Sequence, residues 1–332
     1  MSGKEGWRVN LLSKALKDPN CKLESLKLCG CNITEKSCGL LASAFNSNCS
    51  RLRKLNLSNN MLKDEGIEML CGALDNPNCK LESLKLSCCN LTEQSCAFLA
   101  SAFSSNHSCL RELNLSNNTL RNSGVKMLSA VVYSKLEVLK LRACRLTKKS
   151  CSALNSFLNS APSTIRLLDL SNNNLQDSVT EMISAVEMNP RSKLQTLRLP
   201  GCSLTQRSCL VLEILLSAKL TELDLGRNDL CDSGVKLLSV GLKNISCKLK
   251  TLKLSDCGIT EAGCSALSLA LSSNPSHLRE LDLSSNKISD MGVKLISDYL
   301  GDPQCVLKKL GLFNSEVTAL GYSMHEILYG NR

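Results

Sequence analysis

The 332-residue chain reads as an α/β solenoid, one strand and one helix per turn, and three observations predict it. The pattern Leu-x-x-Leu-x-Leu-x-x-Asn/Cys-x-Leu recurs eleven times, its first Leu or Ile falling at 23, 52, 81, 110, 136, 165, 194, 220, 249, 278 and 307. Those starts lie 29 residues apart, except for two spacings of 26, from 110 to 136 and from 194 to 220. Each period also has two halves. Leu55 and Leu57 alternate with Lys54, Asn56 and Ser58, as in a strand, while Ile67, Leu70 and Leu74 recur at helical spacing. Units of this kind bury their apolar faces only by stacking on neighbours. The expected architecture is a horseshoe of 11 repeats of 26–29 residues, with a parallel β-sheet on the concave face and helices on the convex face.

Residues 1–22 open the chain as a helical half-repeat or cap. Shifted by 58, Val9, Leu11, Leu12, Ala15 and Leu16 fall on Ile67, Met69, Leu70, Ala73 and Leu74. A strand for this helix is absent, so the chain is expected to begin inside a longer array. Residues 23–306 hold repeats one to ten, and 307–332 the terminal repeat and C-terminal cap. That cap is expected as a helix from about Ala319 to Tyr329, with Tyr322, Met324, His325 and Tyr329.

Two kinds of repeat alternate. Even repeats place Asn60, Asn118, Asn173, Asn228 and Asn286 after the strand; odd repeats place Cys31, Cys89, Cys144, Cys202, Cys257 and finally Ser315. Asn suits a position where turning backbone needs partners. Helix caps are expected at Thr34, Thr92, Thr147, Thr205 and Thr260 in odd repeats, and at Asp64, Asn122, Asp177, Asp232 and Asp290 in even ones. The true unit is therefore a pair of repeats, usually 58 residues.

The motif is the leucine-rich-repeat signature. Alternating Asn and Cys repeats of this length resemble ribonuclease inhibitor and the repeat tails of nucleotide-binding, leucine-rich-repeat (NLR) innate-immune receptors. The segment Leu278–Asn286 (LRELDLSSN) followed by Asp290–Leu295 (DMGVKL) resembles the NLR tails closely, and the likeness runs from about Val9 onward. It implies a non-catalytic protein-interaction scaffold with a ligand-sensing or autoinhibitory role in the cytoplasm, its partner an upstream nucleotide-binding module. Two alternatives follow from related folds. A free-standing ribonuclease-inhibitor-like protein is disfavoured because this chain, like the ribonucleases of that class, is basic. A regulator of small GTPases usually carries an acidic tail, and residues 326–332 (EILYGNR) lack one.

Twenty cysteines would suggest disulfides in a small secreted chain. Here they are phased with the repeat. Besides the ladder set, Cys38, Cys96, Cys151, Cys209 and Cys264 follow seven residues later, and Cys21, Cys79, Cys247 and Cys305 precede the motif. Phasing makes them small buried thiols and favours a reducing cytosol. No apolar run reaches the roughly 20 residues of a membrane span. No zinc-type Cys/His cluster, catalytic triad or Gly-x-x-x-x-Gly-Lys-Ser/Thr phosphate loop occurs, so no enzyme, metal or cofactor is expected.

The net charge of +10 is uneven, with 23 Lys/Arg against 12 Asp/Glu in residues 1–166. Lys135, Lys140, Arg142, Arg145, Lys148 and Lys149 form the densest cluster, which would suit an acidic protein or, less well, nucleic acid or another anionic ligand. The outward residue between the two strand leucines forms a column: Lys27, Asn56, Lys85, Asn114, Lys140, Asp169, Arg198, Asp224, Lys253, Asp282 and Gly311. Its sign alternates from Lys140 to Asp282, and with strands about 4.8 Å apart each charge is expected between opposite neighbours. With Lys54 beside it, this column and the basic cluster are the candidate partner contacts.

Overall fold

A computed structural model describes residues 3–45, 51–104, 108–129, 135–159, 164–216, 220–275 and 277–313; the side chains of 3–7, 185, 187 and 188 are outside that description. The chain divides into two compact units, Met1–Asp169 and Leu170–Arg332.

The first unit holds strands β1 (Ser25–Lys27), β2 (Lys54–Asn56), β3 (Ser83–Lys85), β4 (Glu112–Asn114), β5 (Val138–Lys140) and β6 (Leu167–Asp169). They pair in chain order, all parallel, with Leu26, Leu55, Leu84, Leu113, Leu139 and Leu168 in one register row. Its helices are α1 (Gly3–Leu16), α2 (Glu35–Phe45), α3 (Lys63–Leu74), α4 (Glu93–Ser104), α5 (Arg121–Ser129) and α6 (Cys151–Asn159). The second unit repeats the plan with β7 (Thr196–Arg198), β8 (Glu222–Asp224), β9 (Thr251–Lys253), β10 (Glu280–Asp282) and β11 (Lys309–Gly311). Here Leu197, Leu223, Leu252, Leu281 and Leu310 align. The helices are α7 (Val179–Met188), α8 (Gln206–Leu216), α9 (Cys231–Lys243), α10 (Glu261–Ser273) and α11 (Asp290–Leu300). Both units are α/β leucine-rich-repeat solenoids.

Leucine fills the space between strand and helix. Leu55, Leu57, Leu84, Leu86, Leu113 and Leu115 are at most 1% exposed, and burial of each contributes about 2 kcal/mol. The chain leaves each strand through a left-handed residue such as Asn59, Asn117 or Asn172, at φ near 58°, which the short Asn side chain tolerates.

The Asn/Cys alternation is a two-way clasp. Asn60 Oδ1 accepts from the N–H groups of Cys31 and Ile33 in the preceding repeat, and its Nδ2 donates to the carbonyls of Leu28 and Leu57. Asn118 repeats this on Cys89, Leu91, Leu86 and Leu115. The next ladder thiol reaches back: Cys89 Sγ donates to Leu57 O at 3.3 Å, and Cys257 Sγ to Leu225 O at the same distance. Burial first of all pushes the thiols of Cys38, Cys89, Cys144, Cys209, Cys257 and Cys264 up to about 12, so they stay protonated. The later cysteines meet glycines of the following helix. A Cβ on Gly66 would lie 3.0 Å from Cys38 Sγ, and one on Gly124 2.9 Å from Cys96 Sγ.

Two expectations need correction. Thr92, Thr147, Thr205 and Thr260 do cap their helices, accepting the N–H two residues on at 3.2–3.4 Å. The Asp/Asn set does not cap its own helices. Helices α3 and α9 begin at Lys63 and Cys231, and Leu62 and Leu230 stand at the cap positions with no side-chain bond. Asp64 instead reaches forward, accepting from Thr92 N–H at 2.9 Å and Thr92 hydroxyl at 2.6 Å, and from Ser95. Asp177 does the same to Thr205 and Ser208, and Asp232 to Thr260; Asn122 accepts from Thr147 N–H and donates its Nδ2 to the Thr147 hydroxyl. Asp290 is the first residue of α11, with Ser289 at the cap position.

Cysteine burial also fails near the ends. Cys31 is exposed and Cys21 and Cys305 are half-buried. No described strand lies before β1, so Cys31 Sγ keeps the bond to the carbonyl two residues back (Cys29 O, 3.5 Å), which Cys89 and Cys257 also make, without the neighbouring leucine carbonyl that those two reach. The expected terminal helix, Ser315, and most of the two shortened loops (131–134 and 217–219) lie outside the described residues.

Candidate interaction surface

The strand face carries the predicted column, but its charges are matched differently from the expectation. Lys85 and Lys140 both approach Glu112, at 3.3 and 3.7 Å. Glu112 lies one column over and also accepts from the Ser83 hydroxyl at 2.7 Å. Burial pushes its carboxyl up, but Ser83, Lys85 and Lys140 outweigh that and hold it below the usual range. In the second unit Arg198 bonds Glu222 at 2.8 Å, and Lys253 stands 3.8 Å from Glu280. Cations are therefore held diagonally, by glutamates at the start of the neighbouring strand.

Two of the column's acids accept backbone hydrogens. Asp224 accepts from Gly226 N–H at 3.1 Å and Asp282 from Ser284 N–H at 3.0 Å, as Asn56 and Asn114 do from Ser58 and Ser116. Burial raises the Asp224 carboxyl above its ordinary value, against the opposing pull of Gly226 N–H, Lys253 and Arg198. Asp169 is 8% exposed, which removes it from direct contact with a ligand. These acids shape the turn after the strand.

On the strand face two candidate cations stand apart. Lys27 and Lys54 are exposed and have no ion pair with a described residue. With Lys85, Ser25, Ser83, Asn56 and, at its far edge, Glu112 they line a shallow depression of about 140 Å³ across β1 to β4. The basic cluster, by contrast, is dispersed. Lys140 ends β5, Arg142 and Arg145 are exposed in the following turn, and Lys148 and Lys149 are exposed in a 3-10 turn leading into α6. Lys149 lies with Lys126, Asn122 and Ser152 in a polar depression of about 590 Å³ between α5 and α6.

Sequence reasoning overlooked one ladder. The residue after each motif's first Leu or Ile alternates in sign through the first unit: Glu24, Arg53, Glu82, Arg111, Glu137 and Arg166. Arg53 pairs with Glu82, and Glu137 pairs with Arg111 and, at 3.5 Å, with Arg166. Its signal was visible one position upstream of the strand. The second unit has Gln195, Thr221, Lys250, Arg279 and Lys308 there, without alternation. Exposed pairs of this kind contribute about 0–1 kcal/mol each.

A solenoid presenting a polar, charge-matched strand face is a leucine-rich-repeat scaffold of the protein-interaction type. The leucine-rich-repeat family model matches residues 48–71, 78–100, 106–129, 217–239, 246–268 and 270–297. Human NACHT, LRR and PYD domains-containing protein 12 is 37% identical over 244 residues, covering 72% of this chain and 23% of that protein. The human protein 14 of the same series is 40% identical over 72% of this chain and 17% of its own length. Ribonuclease inhibitor of Sus scrofa is 39% identical over 70% of this chain and 39% of the inhibitor. The chain thus spans less than a quarter of the two NACHT relatives. Its repeats are of the ribonuclease-inhibitor-like type, and it resembles the C-terminal repeats of NLR receptors. No described helix is long and apolar enough to cross a membrane.

Proposed function

We propose that the chain is the ligand-sensing and autoinhibitory repeat region of an NLR-like innate-immune receptor, or of a truncated relative, acting in the cytoplasm without catalysis. Its partner in this reading is a nucleotide-binding module whose acidic surface meets the strand face. The carrying observation is the end of the β1-to-β4 depression away from Glu112, where Lys27 and Lys54 are exposed and without ion-pair partners among the described residues. A cation already held by a carboxylate gains little from a second acid, whereas an unpaired one gains the whole interaction. Lys85, shared with Glu112, contributes less. Lys140, Arg198 and Lys253 serve to keep the face open, and Arg142, Arg145, Lys148 and Lys149 form a secondary contact region. The mechanism is a shift between a docked and a released state, driven by a stimulus with different affinity for the two.

The test is binding of this chain, supplied in trans, to the purified NACHT module of human protein 12, followed by biolayer interferometry. Lys27→Glu with Lys54→Glu is expected to weaken binding about tenfold or more. Equal binding by wild type and variant, or none by either, overturns the reading. The match to ribonuclease inhibitor supports a second reading, a free-standing inhibitor. Its sign is tight capture of a basic ribonuclease that is unaffected by the same reversal.

A further inference from the structure

The helix side of the second unit carries an apolar stripe. Ile214 on α8, Val240 on α9 and Leu269 on α10 are 42, 56 and 61% exposed. Each lies 20 residues after the first Leu of its repeat, so the three occupy one equivalent position on three successive helices. In the first unit that position holds Ser43, Gly72, Ser101, Ala130 and Ser156, in the next repeat Ala185, and on α11 Asp298. The solenoid therefore has no architectural need for a large apolar residue there. Leu210, one turn before Ile214, widens the stripe and is 54% exposed. Exposed apolar residues aligned on successive helices mark an interaction site more often than scattered exposed leucines do.

The geometry commits the stripe to one kind of occupant. Packed helices lie about 8–10 Å apart, and Gly241 permits especially close approach of α8 and α9, since a Cβ there would meet Glu213 O at 2.5 Å. An α-helix rises about 10.5 Å in seven residues. A helix laid across α8, α9 and α10 with apolar residues every seven positions would therefore set one on each of Ile214, Val240 and Leu269. Charge selects its flanks. On α9, Lys236 and Lys243 stand four residues before and three after Val240, on the same face and exposed; on α8, Arg207 stands three before Leu210. Neither Lys236 nor Lys243 has an ion pair with a described residue. The acids at the margin are Glu213 and Asp298. A second copy of this chain would bring Arg207, Lys236 and Lys243 against themselves, which like-charge repulsion disfavours.

We infer that the α8–α10 face docks an amphipathic helix of another protein, with leucine-type residues at seven-residue spacing and acidic flanks. This rests on the second unit's helices and is independent of the strand-face reading.

The probe is a labelled peptide of about 20 residues with leucine at every seventh position and glutamate beside each. Fluorescence anisotropy with the full chain is expected to show saturable binding. A peptide of the same composition with its leucines scattered, and one with lysine replacing glutamate, are expected to bind at least about tenfold more weakly. Val240→Ser with Leu269→Ser, and separately Lys236→Glu with Lys243→Glu, are expected to weaken binding by a similar factor. All four positions are exposed, and an unchanged Tm and circular dichroism spectrum confirm folding. No saturable binding, equal binding of the three peptides, or indifference to both variants overturns the proposal. So does a dimer in sedimentation that Val240→Ser with Leu269→Ser dissolves, since the occupant would then be a second copy.

Discussion

Asn118 concentrates five hydrogen bonds in one buried side chain, two accepted and three donated, at 2.8–3.3 Å. Its worth lies in what its removal strands: the N–H groups of Cys89 and Leu91 and the carbonyls of Leu86 and Leu115 have little water to turn to. Asn118→Ala is expected to destabilise the chain by about 3 kcal/mol or more in urea unfolding. Asn118→Asp also fails, because a carboxylate cannot donate to those carbonyls. The glycine facing each cysteine makes a complementary test. Gly→Ala within a helix ordinarily stabilises by about 1 kcal/mol. At Gly124 the new Cβ would lie 2.9 Å from Cys96 Sγ and 3.2 Å from Leu120 Cβ. Gly124→Ala is therefore expected to destabilise by about 1–3 kcal/mol, and Cys96→Ala in the same chain to recover part of that loss. Additive effects in the double variant would contradict the contact.

Between elements, the Asp–Thr link joins an even repeat to the next odd one, while the Asn clasp joins it to the odd one before. Asp177 accepts from Thr205 N–H at 2.9 Å, Thr205 hydroxyl at 2.7 Å and Ser208 hydroxyl at 2.5 Å. Burial pushes its carboxyl up, but these bonds outweigh burial and hold it below its ordinary 3.8. A carboxyl depressed on folding stabilises at pH above its unfolded value, and that contribution is lost as pH falls through the folded value. Asp177→Asn is expected to lower Tm at pH 7, by roughly 1 kcal/mol of stability, and to flatten the further loss that the wild type shows below pH 3.8. A Tm difference independent of pH would contradict it. This link was hard to read in sequence. Asp64 and Asp177 sit near a helix start, where a cap of the same helix looks identical, and the partner Thr is 28 residues on. The strands were easy to read, because Leu55 and Leu57 must share a face whatever surrounds them. The Glu24–Arg166 ladder was equally visible, one residue before each strand.

For the molecule as a whole, charge is the organising asymmetry. Residues 1–169 carry 23 Lys/Arg against 13 Asp/Glu, and residues 170–332 carry 17 against 17. The excess was legible in sequence; which cations are free was not, because Glu112 takes up both Lys85 and Lys140 only once β3, β4 and β5 are side by side. Among the candidate contacts, the cations without an ion pair to a described residue are Lys27 and Lys54 on the strand face, with Arg142, Arg145, Lys148 and Lys149 between β5 and α6. These two regions predict different footprints. The most direct measurement is lysine acetylation of this chain with and without the bound NACHT module, read by mass spectrometry. Reactivity is predicted to fall most at Lys27 and Lys54, less at Lys148 and Lys149, and to stay unchanged at Lys126. Protection at Lys126, Lys148 and Lys149, with Lys27 and Lys54 as reactive as in the free chain, would contradict the strand face as the contact.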